Sequence, residues 1–514
     1  MEYGPRPQSA AIALGELQQV VASGSTLHGS AATPITGVEL DSRLIRGGDL
    51  FAALAGHREH GIVHAHEAVV NGAAAILTDE EGWSAWNSAD QFSPEVPVLI
   101  VRQARLWLGP IAHAVYASSA AEMRLIGVTG TNGKTTVASM VEAGMRAAGM
   151  KTGFIGTTGV RIGDELLDSV RTTPESTTLH SLLAAMREQG IGGVAMEVSS
   201  HAMVEHRVGG LRFAAVGFTN LTQDHLDYHG TMDAYFEAKS QLFTAEHADV
   251  AVICIDDMWG EQLAAKTRIP LVTVSISGKP ADWQVEESAD GGWLVRAPTG
   301  EHAPLQLAMP GAFNRANAVL AIALLNQIGV PVTISAAAMS QVHVPGRLQA
   351  VTGLTAKAEV AAFVDYAHTP DAIARVISAV RELTSGHIIV VVGAGGDRDS
   401  AKRPLMGAMA ARLADQVIVT DDNPRSEDPT AIRAAVLEGA RTLSPANGAV
   451  VLEVADRRQA IDRAVELALP NDVVLVLGKG HEPGQETAGV IVPFDDRVEL
   501  ARALALREAK ADSS

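Results

Sequence analysis

The chain of 514 residues contains a single cysteine, Cys254, which excludes a disulfide framework and a cysteine-ligated metal cluster. It is short of positive charge: 40 Lys and Arg stand against 59 Asp and Glu, a formal net charge of −19. With no basic stripe visible, a protein that coats nucleic acid or anionic membrane is excluded as a class, while a local basic pocket for a small anion is not. It also lacks an apolar run long enough to span a bilayer and an N-terminal basic-apolar signal. The expectation left by these absences is a soluble cytoplasmic protein. What is plentiful is apolar content, 47% of residues, ample for sizeable cores; at roughly 150 residues per domain the length suggests three domains.

The rest of the chain is organised around Arg124-Leu-Ile-Gly-Val-Thr-Gly-Thr-Asn-Gly-Lys-Thr-Thr-Val137. The apolar run Leu125, Ile126, Val128 predicts a buried strand, and Val137, Met140, Val141 and Met145 predict a helix. Between them lies a phosphate loop, Gly130, Thr131, Asn132, Gly133, Lys134, Thr135 and Thr136. Glycines let backbone amides crowd a polyphosphate, the helix N-terminus adds its dipole, Lys134 reaches the terminal phosphates and the Thr135 hydroxyl can hold Mg²⁺. The usual spacing would put a glycine at 128, which here is valine; the glycines fall at 127, 130 and 133. The site is therefore a variant nucleoside triphosphate site.

The fold class that follows is α/β in three domains. Residues 1–122 read as a small N-terminal α/β domain, with strands at Gly37-Val-Glu-Leu40, Asp49 to Leu54, Ala74 to Leu77 and Val98 to Val101. Residues 123–345 read as a central phosphate-loop ATPase domain with a mainly parallel sheet. There Glu197, ending the strand from Gly193, is placed where such an enzyme needs a second metal ligand, although a strand-end salt bridge reads equally well from spacing. His225 and His229 have zinc-ligand spacing, but position 226 is leucine where hydrolytic chemistry needs glutamate, so a zinc protease is rejected. Lys239 sits on an apolar-aromatic helical face, where most lysines extend their stems to water. Residues 346–514 read as a doubly wound, Rossmann-like domain of four strands, ending in Asp365-Tyr-Ala-His368, Gly393-Ala-Gly-Gly-Asp-Arg398, Asp421-Asp-Asn-Pro-Arg425 and Gly478-Lys-Gly-His-Glu482. Ligands of such sheets bind beyond the carboxyl ends of the strands, where these polar clusters fall.

Gly130 to Thr136, Met196-Glu-Val-Ser-Ser-His201, Thr219 to His229, Asp365 to His368, Gly395 to Asp399 and Asp422 to Arg425, in this order, resemble the Mur ligase family of bacterial peptidoglycan synthesis, in its branch that extends UDP-MurNAc-L-alanyl-D-glutamate. The match runs from about Gly37 to Arg497. The resemblance implies a uridine-nucleotide domain, a central ATPase and a C-terminal amino-acid domain. It also implies an ATP-dependent ligase that activates a carboxylate as an acyl phosphate and joins it to an incoming amine. It further implies that Lys134, Arg347 and Mg²⁺ neutralise charge, that Thr135 and Glu197 hold one Mg²⁺ and His225 a second, and that Lys239 carries a CO₂-derived carbamate. For the sugar nucleotide it implies Leu40, Ser42 and the loop His57, Arg58, Glu59, with Thr172, Thr173, Ser199, Glu205 and Arg207 toward the muramoyl dipeptide. For ATP it adds Asn314, Asn317 and Asp365. For diaminopimelate it implies Arg398, Asp422, Asn423, Pro424, Arg425, Gly478 and Glu482. Arg171 and Glu205 depart from the family's familiar Asn and Gln, and an extra acid beside an anionic substrate is costly unless Arg207 or Arg171 pairs with it.

Arg425 selects the amino acid in this reading, because the carboxylate that distinguishes meso-diaminopimelate from L-lysine calls for a guanidinium; the plain alternative is a surface salt bridge to Glu427 or Asp428. A lysine- or ornithine-adding ligase is the nearest competing function, a metabolite-sensing phosphate-loop ATPase the competitor from another class, and folylpolyglutamate synthesis a third. Partners are small-molecule substrates, with a monomer expected.

Overall fold

A computed structural model of the protein describes residues 6–21, 23–56, 58–88, 95–117, 123–169, 171–352, 360–442 and 448–511. Three main sheets follow one another along the chain. The first has five strands in the order Ser25–His28, Val98–Val101, Ala75–Thr78, Asp49–Ala52 and Gly37–Glu39, parallel except for the first. Its inner strands are buried on both faces, which is why they read as continuous apolar runs rather than alternating ones.

The central sheet has eleven strands, seven of them parallel from Thr152–Gly156 to Trp283–Glu287, with antiparallel hairpins at both ends. Within the parallel part, Arg124–Thr129 is flanked by Gly193–Glu197 and Ala215–Phe218. The register sets Glu197 beside Val128 and Phe218 beside Thr129, so three strands end level with one another around the phosphate loop. The helix Lys134–Ala147 follows that loop and buries Val137, Met140, Val141 and Met145 in one core with the helix Ala312–Gln327.

In the C-terminal sheet the order is Gln349–Ala350, Ala361–Asp365, Val473–Leu477, Ile388–Val392, Gln416–Val419 and Val450–Glu453, parallel apart from the first. Alternate residues of its strands serve separate cores: Val390 and Leu475 pack with Ile373, Met406 and Val436, whereas Val391 and Val474 pack with Ile461, Ala464 and Leu500. That two-faced burial makes it doubly wound. Arg457, fully buried, holds the last helix, Asp496–Ala511, against the strand ends through paired 2.7 Å bonds to Asp496 and a 2.9 Å bond to the Leu477 carbonyl.

Six strands replace the four read from the sequence. The added edge strand Val450–Glu453 is only partly buried and the added Gln349–Ala350 is two residues long, so neither carries a clear apolar period. The strand expected from Glu359 begins at Ala361, residues 353–359 lying outside the described part.

Candidate active site

The phosphate loop takes its shape from two glycines and from the next strand's end. Gly130 has φ +140° and Gly133 φ +90°, backbone that L side chains rarely adopt. A Cβ on Gly133 would stand 2.5 Å from Asn317 Oδ1. Thr131 N–H donates to the Asn220 carbonyl at 2.8 Å, Asn132 N–H to Asn220 Oδ1 at 3.1 Å, and Thr219 Oγ1 to the Asn132 carbonyl at 2.6 Å. Lys134 Nζ donates to the Gly130 and Thr131 carbonyls at 3.0 and 2.9 Å. Burial pulls this ammonium below the ordinary lysine value, against the nearby charges of Glu197 and Asp224.

Glu197 is fully buried and accepts from Thr135 Oγ1 at 3.0 Å, Thr157 N–H at 2.8 Å and Thr157 Oγ1 at 3.2 Å. Thr135 Oγ1 in turn accepts from Arg347 Nη2 at 3.1 Å, and the Arg347 guanidinium lies 4.5 Å over the Tyr366 ring. A hydroxyl and a carboxylate 3.0 Å apart beside a phosphate loop are hard oxygen donors that suit one Mg²⁺. Among the described residues there is no group of three or more His, Cys, Asp and Glu that could hold a metal ion.

Lys239 does not reach water. It lies in the helix Met232–Ser240 with 1% exposure, its Nζ donating to the Gly130 carbonyl at 2.9 Å and standing 4.6 Å over the Tyr235 ring. Burial first, then the Lys134 charge, push its amine well below the ordinary lysine value; Asp224 opposes them. His225 precedes a short helix, Leu226–His229, in left-handed backbone with φ +53°, so the two histidines share no helical face. Burial pushes the His225 imidazole below the ordinary histidine value, against the Asp224 charge.

Asp224, not singled out in the sequence, collects this end of the site. Its carboxylate is 3.4 Å from His225 Nε2, 3.9 Å from His368 Nε2 and 3.6 Å from Lys402 Nζ. Burial alone would raise it, but these groups and Lys134 hold it below the usual carboxylate range.

A cavity of 1050 Å³ runs from Lys134 and His225 to Arg398, Asp422, Arg425 and Glu482. Thr172, Thr173, Ser199 and Arg207 also line it, although the Thr173 hydroxyl is committed, donating to the Glu197 carbonyl at 2.9 Å and accepting from Ser199 N–H at 3.1 Å. Glu205 is paired by Arg207 Nη2 and Arg105 Nη1, each at 3.4 Å, and the distant Arg105 was the partner the sequence reading lacked. Arg171 pairs with Glu175 instead.

At the far end Arg425 has φ +53°, donates from Nη1 to the Gly396 carbonyl at 2.6 Å and sits 3.7 Å from Glu486. The alternative pairing with Glu427 does not form; Glu427 takes both Arg403 guanidinium nitrogens at 2.7 and 2.8 Å. Asn423 Nδ2 donates to Glu482 Oε2 at 2.8 Å, and Pro424 is buried behind the turn. Gly478, with φ +114°, lies where a Cβ would meet Asp422 Oδ2 at 2.4 Å. Arg398 is exposed, its Nη1 donating to the Asp397 carbonyl at 3.1 Å.

Two further cavities, of 200 and 470 Å³, flank the phosphate loop and share Asn220, Phe313, Asn317 and Arg375 in their walls. Asn314 lines the first and donates to the Pro310 carbonyl at 2.8 Å. Asp365 also lines it, its carboxylate accepting from Leu348 N–H at 2.5 Å and Ala367 N–H at 2.7 Å. A smaller cavity of 170 Å³ is lined by Leu40 and, like the large one, by Asp168, Ser169 and Arg171. Ser42 donates to Glu67 Oε2 at 2.5 Å, Arg58 and Glu59 are exposed outside these cavities, and His57 lies outside the described residues.

Three family descriptions match the chain in order: Mur ligase family, catalytic domain, over residues 34–116; Mur ligase middle domain over 128–325; and Mur ligase, glutamate ligase domain, over 346–480. Among curated relatives, the UDP-N-acetylmuramoyl-L-alanyl-D-glutamate--2,6-diaminopimelate ligase of Streptomyces coelicolor is 43% identical over 98% of this chain and 99% of its own. The ligase of the same name from Corynebacterium glutamicum is 45% identical over 94% of each. The chain belongs to the Mur ligase family. A solved structure of a ligase with that name aligns over 97% of this chain and 100% of its own, at 30% identity and TM-score 0.67. E. coli FolC in complex with DHPP and ADP aligns over 78% and 93%, at 20% identity and TM-score 0.57, a likeness of fold alone.

The geometry of Gly133 generates a prediction. Gly133→Ala meets both a left-handed backbone and Asn317 Oδ1, so nucleotide affinity by calorimetry should fall by roughly 5- to 150-fold, the equivalent of the 1–3 kcal/mol cost of strained backbone. Parent-like affinity would show that the loop does not cradle phosphate.

Proposed function

We propose that this protein is an ATP-dependent ligase that adds meso-diaminopimelate to UDP-MurNAc-L-Ala-D-Glu through an acyl phosphate. The observation that carries the reading is the single 1050 Å³ cavity, which has a phosphate-loop lysine at one end and Arg425 among acidic groups at the other. The names of the relatives support the same substrates. The reading divides the chain at 1–122, 123–345 and 346–514, a division supported by one main sheet falling within each range.

In this reading ATP lies over the phosphate loop, its base toward Asn314 and Asn317 and its ribose toward Asp365, within the flanking cavities. The uridine end takes Leu40, Ser42 and the loop His57, Arg58, Glu59. The muramoyl dipeptide continues past Thr172, Thr173, Ser199, Glu205 and Arg207, by way of Asp168, Ser169 and Arg171, which line both cavities. Carboxylate and γ-phosphate repel each other, and Lys134 and Arg347 set two cations against them in a partly dehydrated site. Arg347 Nε, buried without a partner among the described residues, is free to donate to an anion there. The terminal phosphoryl group passes to a D-glutamyl carboxylate oxygen and ADP leaves. The diaminopimelate amine then attacks the carbonyl carbon, and phosphate leaves with the C–O bond electrons as the amide forms. Mg²⁺ held by Thr135 and Glu197, with a second ion at His225 and carbamylated Lys239, would supply further charge neutralisation.

Arg425 and Arg398 take the distal carboxylate of diaminopimelate, while Asp422, Glu482 and the Gly478 carbonyl take its distal ammonium. Asn423 and Pro424 fix the turn that presents them. An L-lysine-adding enzyme would leave Arg425 facing an ammonium with no carboxylate to bind. All substrates in this reading are small molecules, and it takes the protein as a cytoplasmic monomer.

The direct test is initial rates with ATP, UDP-MurNAc-L-Ala-D-Glu and either amino acid. Arg425→Ala should weaken diaminopimelate use by about 2–5 kcal/mol with little change for ATP, the cost of truncating one partner of a buried charge pair. A parent that prefers L-lysine overturns the assignment.

Carbamylation needs a neutral amine to attack CO₂, which the depressed Lys239 amine provides. Lys239→Ala is expected to be inactive and partly rescued by formate or acetate filling the vacated space. Full activity without additive would remove the carbamate from the account.

A further inference from the structure

Lys479 follows the strand Val473–Leu477 and is the one fully buried lysine at the arginine end of the large cavity among the described residues. An ammonium has three donors, and here three acceptors meet it: Asn423 Oδ1 at 3.0 Å, the Gly484 carbonyl at 2.5 Å and Glu482 Oε2 at 3.5 Å. Each acceptor belongs to a different piece of the wall. Asn423 sits in the turn that ends in Arg425, Glu482 in the loop after the strand, and Gly484 opens a two-stranded hairpin, Gly484–Thr487 with Val490–Pro493.

The hairpin clamps Arg425. Arg425 N–H donates to the Glu486 carbonyl at 3.1 Å, Ala488 N–H to the Arg425 carbonyl at 2.6 Å, and Glu486 N–H to Asn423 Oδ1 at 3.0 Å. This pairing holds Arg425 in its left-handed backbone, a conformation a non-glycine residue keeps only when its surroundings impose it.

We propose that Lys479 is a positioning residue for the amino-acid substrate, locking the Asp422–Arg425 turn, Glu482 and the hairpin into one recognition wall. The inference rests on the ligase reading above. Burial, then the charge of Asp422, push the Glu482 carboxyl up, while Lys479 and Asn423 act against that rise. Tyr366 and Arg457 also feel the Glu482 charge. Without the Lys479 cation, Glu482 takes a proton at higher pH, so binding of an ammonium-bearing substrate weakens further as pH falls.

The test uses the full-length enzyme and its three substrates across pH 6–9, comparing the parent with Lys479→Met. The variant should raise KM for diaminopimelate at least ~10-fold, leave kcat within about threefold and leave KM for ATP and for UDP-MurNAc-L-Ala-D-Glu within about twofold, the split expected when only one substrate's binding is lost. Its diaminopimelate KM should climb more steeply than the parent's on acidification. The single variant strips Glu482 of its cation and can fail to fold. Lys479→Met/Glu482→Gln removes that charge as well, and should show a raised diaminopimelate KM without the acid-side climb. An unchanged diaminopimelate KM in the folded variant, or equal losses for all three substrates, overturns the role of Lys479. A parent that ligates no diaminopimelate overturns the functional reading instead.

Discussion

The Glu197 carboxylate is the interaction on which the site depends. Buried at the end of a central strand, it has to be bonded, and it takes the Thr135 hydroxyl, the Thr157 amide and the Thr157 hydroxyl. Those bonds tie the first turn of the helix Lys134–Ala147 to the turn after Thr152–Gly156. The phosphate loop is thereby tied to the end of the strand Gly193–Glu197, whose last carbonyl accepts from Thr173 Oγ1 and which Ser199 follows. A carboxylate so placed also sits where a divalent ion bound to phosphate would share it with Thr135.

The C-terminal sheet meets this centre through a few polar contacts. Arg347 reaches Thr135 at 3.1 Å, His481 Nε2 lies 3.1 Å from the Thr157 carbonyl, Asn132 Nδ2 donates to Asp371 at 3.2 Å and Lys402 lies 3.6 Å from Asp224. Each of these touches the phosphate loop, a Glu197 partner or Asp224. The placement of the C-terminal sheet against the phosphate loop is thus governed by the same groups that would contact phosphate. Gly346, with φ +65°, allows the connecting chain to lie against Gly480 and His481, where a Cβ would come within 2.2 Å of the His481 nitrogen.

Much of this was legible in the sequence because a parallel sheet puts its chemistry at strand ends, where a polar cluster interrupts an apolar run. The phosphate loop, Glu197 and the Asp422 to Arg425 turn all announce themselves that way. Lys239 did not: an apolar-aromatic helix looks the same whether its lysine snorkels to water or turns inward beneath a loop 109 residues away in sequence. Thr157 was invisible, being a common residue in an unmarked turn. The pairing of Glu205 needed Arg105, 100 residues distant, and no local pattern records such a partner. Edge strands were missed where half-exposure erased the apolar period.

The central claim is that the cavity joins a phosphoryl donor to a carboxylate before the amine arrives. UDP-MurNAc-L-Ala-D-Glu carrying ¹⁸O in the D-glutamyl carboxylate, turned over with ATP and diaminopimelate, tests it most directly. An acyl phosphate leaves one labelled oxygen in each inorganic phosphate released, because the carbon–oxygen bond breaks when the amide forms. Phosphate released without label would contradict the account.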